Sequence, residues 1–589
     1  MSQNETNTGP PERVVKIGAA DHELCNFIVG TDTPGKTDAQ ASRALVREII
    51  GTPAHRTANK TCHSAGGYSA PSRYYEYDPY YGYYSASSQD DYDIPTDWGR
   101  RYLDNGGAAY VDSHKLEVCT PEVTSAYDFV AANHAMLRIA RQAQIAANAK
   151  LPDGQKLVVA VNNSDGRGDS WGSHVNTLIT RRAWDNIFHT RPHYALFLAT
   201  HLASSIVCTG AGKVGSENGT PAVDYQIGCR ADFMQQTVGQ QTMYTRPIVN
   251  ARDEPLCGRD TSAADSCARL HTITYDANLA HASNFLKFGC LQIICAMIEA
   301  DFVDPALLLK DPVDAIVRFS HDPLLQTQAE TLSGSDYTSV ELGLLLLERA
   351  REFQQCGGLD GIVPFHEDIL ALWEDTLNKL KASDFQSLSK RLDWVIKLSA
   401  ILGAMDQQPE LTWDSPTVKH LDFAYANLDP DDGLYWHYES GGLVETLCSE
   451  EEIERLVHEP PADTRAWGRS RLLQAVDPEA VADVDWDRIR FKARGGFKPV
   501  YRTVDMGGPT DFTKRDVEGL LSAQESLDSL LDTLGAPSND RKESCGVGAY
   551  GLPPVGKLGY AAPLREDTTP CQDTWRCDES SDYPDRYRH

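Results

Sequence analysis

The sequence lacks the segments that place a chain in a membrane or outside the cell. No N-terminal run resembles a signal peptide, and the longest apolar stretches, 291–297 and 342–347, are too short to cross a bilayer. Basic residues are scarce, since 55 Lys and Arg stand against 84 Asp and Glu, a formal charge of -29. Such a surface repels nucleic acid and anionic lipid. We therefore expect a cytoplasmic protein with no nucleic-acid partner and no membrane partner.

Paired cysteines are also missing. The 14 cysteines are scattered along the chain and none belongs to a CxxC pair. Cys571 and Cys577 lie near the C-terminus without the further ligands that a zinc site requires. We expect most of these cysteines to be buried, reduced thiols, because a chain in an oxidising compartment usually shows a disulfide framework.

What the sequence does contain is ordinary for a globular protein: 589 residues, 41% apolar and 24% charged. Helical periodicity predicts helices over 123–149, 192–209, 278–299, 340–355, 368–381 and 387–402. Apolar runs predict a first strand that begins with 14–18 and carries Asp21 and Glu23 at its end, and a further strand over 157–161. Shifts in composition predict a disordered leader (1–12), a catalytic domain (13–428) with a Tyr-rich insertion (53–99), a small C-terminal domain (429–535) and a disordered tail (536–589).

The stretch 105–122 is the most informative part of the chain. Tyr110, Asp112 and His114 fall at i, i+2 and i+4, so a strand here places all three side chains on one face. Glu117 and Glu122 follow shortly after. A phenol, a carboxylate and an imidazole on one strand face indicate contact with water, a metal or a substrate. A hydrated edge strand is the alternative interpretation.

Similar polar pairs recur in three other strand-like segments. The pairs are Asp21 with Glu23, His174 with Asn176, and Arg269 with His271, each separated by two positions. Side by side in an antiparallel sheet, these segments form a floor of carboxylate oxygen, imidazole nitrogen and guanidinium. Such a floor suits Mg²⁺ carrying nucleotide phosphates, with Arg269 as a bidentate phosphate contact.

The run Gly30 to Thr37 matches the P-loop pattern letter for letter and precedes a helical segment. A P-loop requires a buried strand before the glycine turn and alternating β/α units around it. The following sequence does not alternate in that way. The competing interpretation is a glycine-proline turn in which Thr37 or Asp38 caps a helix.

At this point the sequence resembles a known family, the Pup ligase and depupylase (Dop/PafA) family. The resemblance begins with NGGAAYVDSHKLEVCTPE at 105–122 and keeps one order of motifs over about residues 14 to 530. The further matching blocks lie at 162–165, 171–176, 246–248, 250–255, 269–271, 276–279, 392–394, 459–466 and 485–486.

The resemblance implies a fold and a set of site residues. The implied fold is α+β, related to glutamine synthetase-type carboxylate-amine ligases: a curved antiparallel sheet whose concave face holds ATP and Mg²⁺, packed with helices and followed by a small C-terminal domain. Asp112 matches the catalytic aspartate. Metal-contacting positions are matched by Asp21 or Glu23, Tyr110, Glu117, His174 and His271, and nucleotide-contacting positions by Thr120, Asn176, Arg269 and Trp486.

The resemblance also implies an activity. Members either join the C-terminal glutamate of the modifier Pup to a substrate lysine using ATP, or hydrolyse that isopeptide bond and deamidate a terminal glutamine. The spacing of five between Asp112 and Glu117 and the long insertion favour the hydrolysing branch. The expected partners are Pup or a Pup-like modifier and modified proteins, with a link to the proteasome pathway. A ligase is the alternative.

The first acidic motif, Asp21-His22-Glu23, fits the family pattern only with a one-residue shift, since two glutamates are usual there. Two further positions depart from the pattern. Ala108 stands where the family has a nucleotide-contacting arginine, and Val175 stands where it has the middle acid of a His-Glu-Asn triplet. Loss of an arginine removes a charge-assisted phosphate contact worth ~1.5–3 kcal/mol. These departures motivate a third hypothesis, a non-catalytic regulator that binds the modifier.

Overall fold

A ten-stranded sheet carries the polar pairs. The computed structural model describes residues 13–32, 37–54, 98–254, 256–257, 266–493, 500–523, 526–536 and 538–539. The strands of the large sheet and of three smaller sheets are β1 (Gly18–Val29), β2 (Thr52–Pro53), β3 (Trp98–Tyr102), β4 (Ala108–Asp112), β5 (Lys115–Cys119), β6 (Lys156–Ala160), β7 (Ser173–Thr180), β8 (Lys213–Val214), β9 (Tyr225–Gln226), β10 (Met234–Gly239), β11 (Arg246–Asn250), β12 (Cys267–Thr272), β13 (Gln328–Glu330), β14 (Asp336–Thr338), β15 (Val481–Asp485), β16 (Arg488–Ala493), β17 (Val500–Asp505) and β18 (Ser538–Asn539).

The large sheet has the strand order β10-β11-β12-β7-β1-β5-β4-β3-β2, with β6 also paired to β1. Among the described strands only β10 and β11 run parallel, and β1 is antiparallel to β5, β6 and β7. The predicted α+β class with a largely antiparallel sheet is confirmed, and the parallel pair is a feature that the sequence analysis did not anticipate.

The described residues form 17 α-helices, most of which cover one face of this sheet and form the main core. They are α1 (Asp38–Glu48), α2 (Ala126–Asn148), α3 (Arg181–Asp185), α4 (Pro192–Ser204), α5 (Ile206–Thr209), α6 (His281–Glu299), α7 (Pro312–Ser320), α8 (Ser339–Gln355), α9 (His366–Lys381), α10 (Phe385–Leu388), α11 (Asp393–Gln407), α12 (Pro416–Ala426), α13 (Leu434–Ser440), α14 (Glu450–His458), α15 (Arg465–Ala475), α16 (Lys514–Ala523) and α17 (Leu527–Thr533).

Helix α6 lies at the centre of that core, and all of its residues are buried. In the described part of the chain it is the single helix whose length and composition match a membrane span, and complete burial inside the protein identifies it as a core helix. The helices predicted over 123–149, 278–299, 340–355 and 368–381 are close to α2, α6, α8 and α9.

Two predicted helices differ from the observed ones. The segment 192–209 divides at Ser205 into α4 and α5, and the helix predicted over 387–402 begins only at Asp393. Asp393 accepts hydrogen bonds from the backbone N–H groups of Leu279 and Ala280. The start of α11 is therefore anchored by a contact more than 100 residues away in sequence, which periodicity does not reveal.

The first strand was predicted with the wrong bounds. It was expected to begin with residues 14–18 and to carry Asp21 and Glu23 at its end, whereas β1 begins at Gly18 and holds both acids in its interior. The alternation of buried and partly exposed residues along β1 is regular. Asp21 and Glu23 occupy partly exposed positions of β1, where a strand buried on one face carries polar residues. The apolar run before β1 is the stronger hydrophobic signal, so the predicted start of the strand was too early.

His114 is a second correction. β4 ends at Asp112, and Ser113 and His114 form the turn to β5 with positive φ values of 45° and 71°. The three-residue face predicted for Tyr110, Asp112 and His114 therefore ends at Asp112. Positive φ is rare for residues other than glycine, so this tight turn fixes the backbone directly after Asp112.

The P-loop alternative lacks its required surroundings. The motif residues 33–36, which include Lys36, lie outside the described residues. The strand that precedes the motif is β1, and its three partner strands are all antiparallel. A P-loop strand belongs to a parallel β/α sheet, so the described neighbourhood does not support nucleotide binding by this motif.

The C-terminal part of the described chain forms a small four-stranded sheet of β15 to β18 with α15 to α17. Its apolar face shares a cluster of buried side chains with Tyr102, Ala108 and Tyr110 of the large sheet. The predicted domain boundary near residue 429 stays a prediction. The leader 1–12, nearly all of the Tyr-rich insertion and the tail beyond 539 lie outside the described residues.

Candidate functional site

A cavity of about 1230 Å³ lies against the face of the large sheet opposite its helical layer. The antiparallel register aligns its polar side chains in rows, because directly paired residues point to the same face. In one row Glu117 on β5 lies between Glu23 on β1 and Tyr110 on β4. In the next row Asp21 pairs with His174 on β7. Residues separated by about 150 positions in sequence thus become neighbours.

The first cluster consists of carboxylates. Oxygen atoms of Glu23, Asp112 and Glu117 all lie within 4.8 Å of one another. Burial and then the neighbouring carboxylates raise the pKa of Glu117 well above its ordinary value, and burial likewise raises the pKa of Glu23. Negative charges crowded in this way need a cation to remain ionised together, and carboxylate oxygens are the ligands that Mg²⁺ prefers.

Two neighbours hold these carboxylates in place. The Tyr110 hydroxyl donates a hydrogen bond of 2.7 Å to Glu117 Oε1. The backbone N–H of Gly172 donates one of 2.6 Å to Glu23 Oε2. Tyr110 was predicted to contact the metal, and in this structure its hydroxyl contacts a candidate metal ligand.

The second cluster joins a carboxylate to two imidazoles. Ligand atoms of Asp21, His174 and His271 lie within 4.8 Å of one another. Burial, followed by nearby arginines, lowers the pKa of both histidines well below the ordinary value. Both rings are therefore neutral at physiological pH, and a neutral imidazole is the form that binds a metal.

Asn176 orients this second cluster. Its Oδ1 accepts a 2.7 Å hydrogen bond from Arg269 Nη1 and lies 2.9 Å from Nδ1 of His271. Its Nδ2 donates to Asp21 at 2.9 Å. The tautomer in which His271 Nδ1–H donates to Asn176 leaves Nε2 with a lone pair for a metal, an arrangement common around metal-binding histidines.

The donor sets therefore fit two divalent cations. One set is all carboxylate, and the other combines a carboxylate with two neutral imidazoles. The candidate ligands Asp21, Glu23, Glu117, His174 and His271 all line the cavity, and so do Asp112 and Tyr110. Hard oxygen donors suit Mg²⁺, and added imidazole nitrogen suits Mg²⁺ less than Mn²⁺ or Zn²⁺.

Asp112 lies at the edge of the carboxylate cluster and is partly exposed to the cavity. Burial raises its pKa above the ordinary value, opposed by the neighbouring Ser113 and then by the guanidinium of Arg100. A carboxylate in this position can accept a proton or attack an electrophile, because it is accessible and aimed into the same space as the candidate metal ligands.

The predicted nucleotide-contacting residues separate into two groups. Asn176, Arg269 and Trp486 line the cavity. Thr120 does not: it is fully buried, and its hydroxyl accepts the backbone N–H of Ala20 at 2.8 Å. The structure thus gives Thr120 a role in joining β1 to the segment after β5.

Arginines concentrate around the cavity of an otherwise acidic protein. Glu254 bridges two of them, Arg252 at 2.8 Å and Arg269 at 3.1 Å. Arg100, which the sequence analysis missed, lies with its guanidinium carbon 3.8 Å from the centroid of the Tyr110 ring. The arginines that line the cavity are Arg100, Arg167, Arg246, Arg252, Arg269 and Arg465.

The two departures from the family pattern differ in their position. Val175 is fully buried in the main core, because the neighbours His174 and Asn176 point to the cavity and strand alternation turns residue 175 away. Ala108 is fully buried opposite Cys119 and Tyr102, on the cavity side. Only the alanine therefore changes the side chains on the site face.

A third group of possible ligands, His134, His281 and Glu439, lies outside the cavity. Nδ1 of His281 accepts the backbone N–H of Leu447, so its Nε2 carries the proton of the neutral ring. Nε2 of His134 faces the carbonyl oxygen of Leu279 at 3.0 Å. The hydrogen bond to Nδ1 therefore leaves Nε2 of the neutral His281 ring without a lone pair for a metal, so this group lacks one of the ligand atoms that a metal site needs.

Comparison with known sequences is consistent with this geometry. The sequence profile of the family described as Pup-ligase protein matches residues 32–490. The depupylase of Acidothermus cellulolyticus is 34% identical over 434 residues, which cover 73% of this chain and 82% of the relative. The Pup–protein ligase of Acidimicrobium ferrooxidans is 33% identical over 437 residues, covering 72% and 90%.

Solved structures resemble the fold as well. The ligase PafA in complex with the prokaryotic ubiquitin-like protein Pup superimposes with a TM-score of 0.68 at 24% identity, covering 88% of this chain and 91% of PafA. PafA in complex with ADP superimposes with a TM-score of 0.62 at 25% identity, covering 79% and 98%.

Proposed function

The chain belongs to the Pup-ligase protein family, and we propose that it is an ATP- and Mg²⁺-dependent depupylase. In this proposal it hydrolyses the isopeptide bond between the C-terminal glutamate of Pup, or a Pup-like modifier, and a substrate lysine. It also deamidates a modifier that ends in glutamine. The observation that carries the proposal is the meeting of Asp112 with two candidate cation clusters on one cavity face.

Several features favour hydrolysis over ligation. Glu117 follows Asp112 by five positions, the spacing that resembles the depupylase branch, and a long insertion precedes the block. A depupylase is among the most similar relatives. The ligase stands as the second candidate, because a Pup–protein ligase is similarly close in identity.

In this proposal the cavity residues have different roles. Asp21, Glu23, Glu117, His174 and His271 would hold Mg²⁺, and Asn176, Arg269 and Trp486 would hold ATP. Bound Mg²⁺ would neutralise the phosphates and polarise the carbonyl oxygen of the scissile bond.

Asp112 either attacks the carbonyl carbon of the modifier's terminal residue or takes a proton from an attacking water. In both routes the carbon–nitrogen bond breaks, the nitrogen leaves with a proton as the lysine amine, and the carboxylate of the modifier is restored with an oxygen from water.

The location and the partners belong to the same proposal. The partners are Pup or a Pup-like modifier and the proteins that carry it, with a link to the proteasome pathway. A cytoplasmic setting is supported by the ten described cysteines, all of which are free thiols.

The decisive experiment uses a purified conjugate of the modifier with a lysine-bearing protein, incubated with the enzyme and Mg-ATP. We expect release of the modifier, and a loss of rate of at least about 100-fold in Asp112→Asn, because the amide neither accepts a proton nor attacks. Asp104→Asn is the matched control, since Asp104 is exposed and does not line the cavity. Absence of cleavage by the wild type would exclude a depupylase.

The other two hypotheses predict different outcomes of the same assay. A ligase forms conjugate from free modifier and consumes one ATP for each bond made. A regulator binds the modifier without turnover, and Asp112→Asn leaves that binding unchanged.

A further inference from the structure

Cys119 places a sulfur atom at the candidate cation site. It is the last residue of β5 and follows Glu117 by two positions, so both side chains leave the same face of the strand. Its side chain is buried, with 2% exposed, and the residue lines the cavity. The thiol therefore lies in the floor of the cavity, beside a candidate metal ligand.

The strand register gives Cys119 a carboxylate as its direct neighbour. Cys119 pairs with Asp21 on β1, and Asp21 pairs in turn with His174 on β7. Directly paired residues share a face of the sheet. One row across three strands therefore carries a thiol, a carboxylate and an imidazole in adjacent positions. On its other side Cys119 pairs with Ala108, whose methyl group adds no charge to the row.

A sulfur-containing set of possible ligands results from this register. Ligand atoms of Asp21, Glu117 and Cys119 all lie within 4.8 Å of one another. In the described part of the chain, Cys119 is the one cysteine that belongs to such a group. Bonds of about 2.0–2.3 Å to one Zn²⁺ place ligand atoms about 3.3–3.8 Å apart. Small rotations of the three side chains therefore let them share one ion.

The hydrogen bonds of the thiol are long. Sγ of Cys119 lies 3.7 Å from the hydroxyl oxygen of Tyr110 and 4.0 Å from Oε1 of Glu117. The Tyr110 hydroxyl donates its own proton to Glu117 at 2.7 Å. A thiol is a weak hydrogen-bond donor. These contacts therefore compete little with a metal ion for the sulfur.

We propose that the cavity binds a thiophilic divalent cation of the Zn²⁺ class through the carboxylates of Asp21 and Glu117 and the thiolate of Cys119. The ion displaces the thiol proton, which passes to solvent. Thiolate selects Zn²⁺, whereas Mg²⁺ requires oxygen ligands.

The proposed ion and Mg²⁺ exclude each other. Asp21 and Glu117 belong to the sulfur-containing set and also to the two clusters that fit Mg²⁺. An ion held by both carboxylates and the sulfur therefore removes a ligand from each of those clusters. The inference rests on the proposed cation-binding role of the cavity and is independent of the bond that the enzyme cleaves.

The chain supplies a matched control in Cys25. This cysteine is also buried, lines the same cavity and follows a candidate ligand, Glu23, by two positions on its strand. Its side chain packs with Ala160 and Trp171 in an apolar cluster. A change at Cys25 removes a cavity thiol without removing one from the sulfur-containing set.

The experiment measures binding of Co²⁺ and Zn²⁺ to the whole chain, in the wild type, Cys119→Ser and Cys25→Ser. Co²⁺ substitutes for Zn²⁺, and a Co²⁺–thiolate bond adds a charge-transfer absorption band in the near ultraviolet that oxygen and nitrogen ligands do not give. We expect this band in the wild type and in Cys25→Ser, and its loss in Cys119→Ser.

Affinities are measured by calorimetry on the same proteins. Kd for Zn²⁺ should rise at least about 10-fold in Cys119→Ser, because loss of a residue that only supports a metal ligand already costs about 10- to 100-fold. Kd for Mg²⁺ should stay the same, because Mg²⁺ does not use sulfur. Excess Mg²⁺ should weaken Zn²⁺ binding to the wild type.

Three results would overturn the inference. They are a wild type without the band, a band that persists in Cys119→Ser and so belongs to another cysteine, and Zn²⁺ binding that excess Mg²⁺ leaves unchanged. Where the melting temperature shows that Cys119→Ser does not fold, Asp21→Asn provides the test, because it keeps the thiol. Asp21→Asn should also raise Kd for Zn²⁺, and an unchanged Kd would count against the site.

Conjugate cleavage by the wild type in Mg-ATP is assayed separately. A band that depends on Cys119 in an enzyme that cleaves no conjugate would contradict the depupylase and leave this inference standing. Cleavage by a wild type that shows no band would do the reverse.

Discussion

At the scale of single residues, the crowded carboxylates of the site lower the free energy of unfolding of the metal-free protein. Burial and the neighbouring carboxylates raise the pKa of Glu117 well above its ordinary value. When the pKa of a carboxyl is higher in the folded state than in the unfolded state, the free energy of unfolding falls as the pH rises from the unfolded-state pKa to the folded-state pKa. Crowded carboxylates of this kind are a sign of a cation site.

Glu117→Gln should therefore stabilise the metal-free protein. We expect its melting temperature in EDTA at pH 8 to exceed that of the wild type, and the difference to shrink as the pH falls toward about 4.3, the pKa of an unfolded glutamate, because Glu117 is then protonated in the folded state as well. The variant should also lose most of the stabilisation that Mg²⁺ gives the wild type. Differential scanning calorimetry with and without Mg²⁺ measures both effects, and Glu410→Gln, at an exposed position, serves as the control. A less stable metal-free variant at pH 8 would contradict this account of the cluster.

Val175→Glu tests whether the valine is a missing site residue. Residue 175 is fully buried in the main core, so a carboxylate at this position would lie away from both candidate cation clusters. We expect a loss of several kcal/mol in the free energy of unfolding, measured by urea denaturation, and no gain in Mg²⁺ affinity. Val175→Ala is the control for lost packing, at about 1–3 kcal/mol. Tighter Mg²⁺ binding in Val175→Glu would show that the residue reaches the cavity.

At the scale of elements, Glu122 connects the large sheet to α15. Its two oxygens accept hydrogen bonds from Arg465 at 2.9 Å and from Arg469 at 2.6 Å and 3.0 Å. Burial works against ionisation, but the two arginines prevail and lower the pKa of Glu122 to about 2. The carboxylate therefore contributes stability above its unfolded pKa of about 4.3, and that stability is lost as the pH falls from there toward about 2.

Glu122→Gln should weaken this connection strongly. Two buried guanidinium groups would lose their counter-charge, which typically costs about 3–5 kcal/mol. We expect that loss in the free energy of unfolding at pH 7, together with a smaller difference from the wild type near pH 3. Urea denaturation at both pH values measures it. Arg471→Gln is the control, because Arg471 is a partly exposed arginine on the same helix that does not contact Glu122. Equal losses in both variants would show that the ion pairs contribute nothing specific.

At the scale of the whole molecule, the charge is unevenly distributed. The chain carries a formal charge of -29, yet its cavity is lined by arginines as well as carboxylates. An acidic exterior with a locally mixed cavity favours a small anion that brings its own cations, and it disfavours extended polyanions such as nucleic acid.

Mg-ATP should therefore stabilise the fold. A ligand at 100 times its Kd raises the free energy of unfolding by about 2.7 kcal/mol when it binds only the folded state. We expect the melting temperature to rise with Mg-ATP and to rise less with Mg²⁺ alone or with ATP in EDTA. No shift with millimolar Mg-ATP would be evidence against the nucleotide site. Arg269→Gln should reduce the shift, since Arg269 lies at the cavity wall.

The order of motifs along the sequence was sufficient to recognise the family and the α+β fold class. Periodicity located α2, α6, α8 and α9, because long amphipathic or buried helices carry a strong local signal. Asp21, Glu23, Asp112, His174 and His271 were singled out from their spacing of two along short strands, because that spacing sets which side chains share a face, whereas Glu117 was assigned as a metal ligand by the family resemblance.

Tertiary structure decided which distant residues meet, because the spacing of residues along the chain does not contain that information. Register between distant strands set Glu117 beside Glu23 and Asp21 beside His174. The turn after β4 removed His114 from the strand face, the contact with Ala20 buried Thr120, and the bulge in β3 brought Arg100 over Tyr110. Each of these contacts depends on which strands are neighbours in the sheet. Neighbouring strands come from distant parts of the chain, and the local sequence of one strand does not indicate which strand will pair with it.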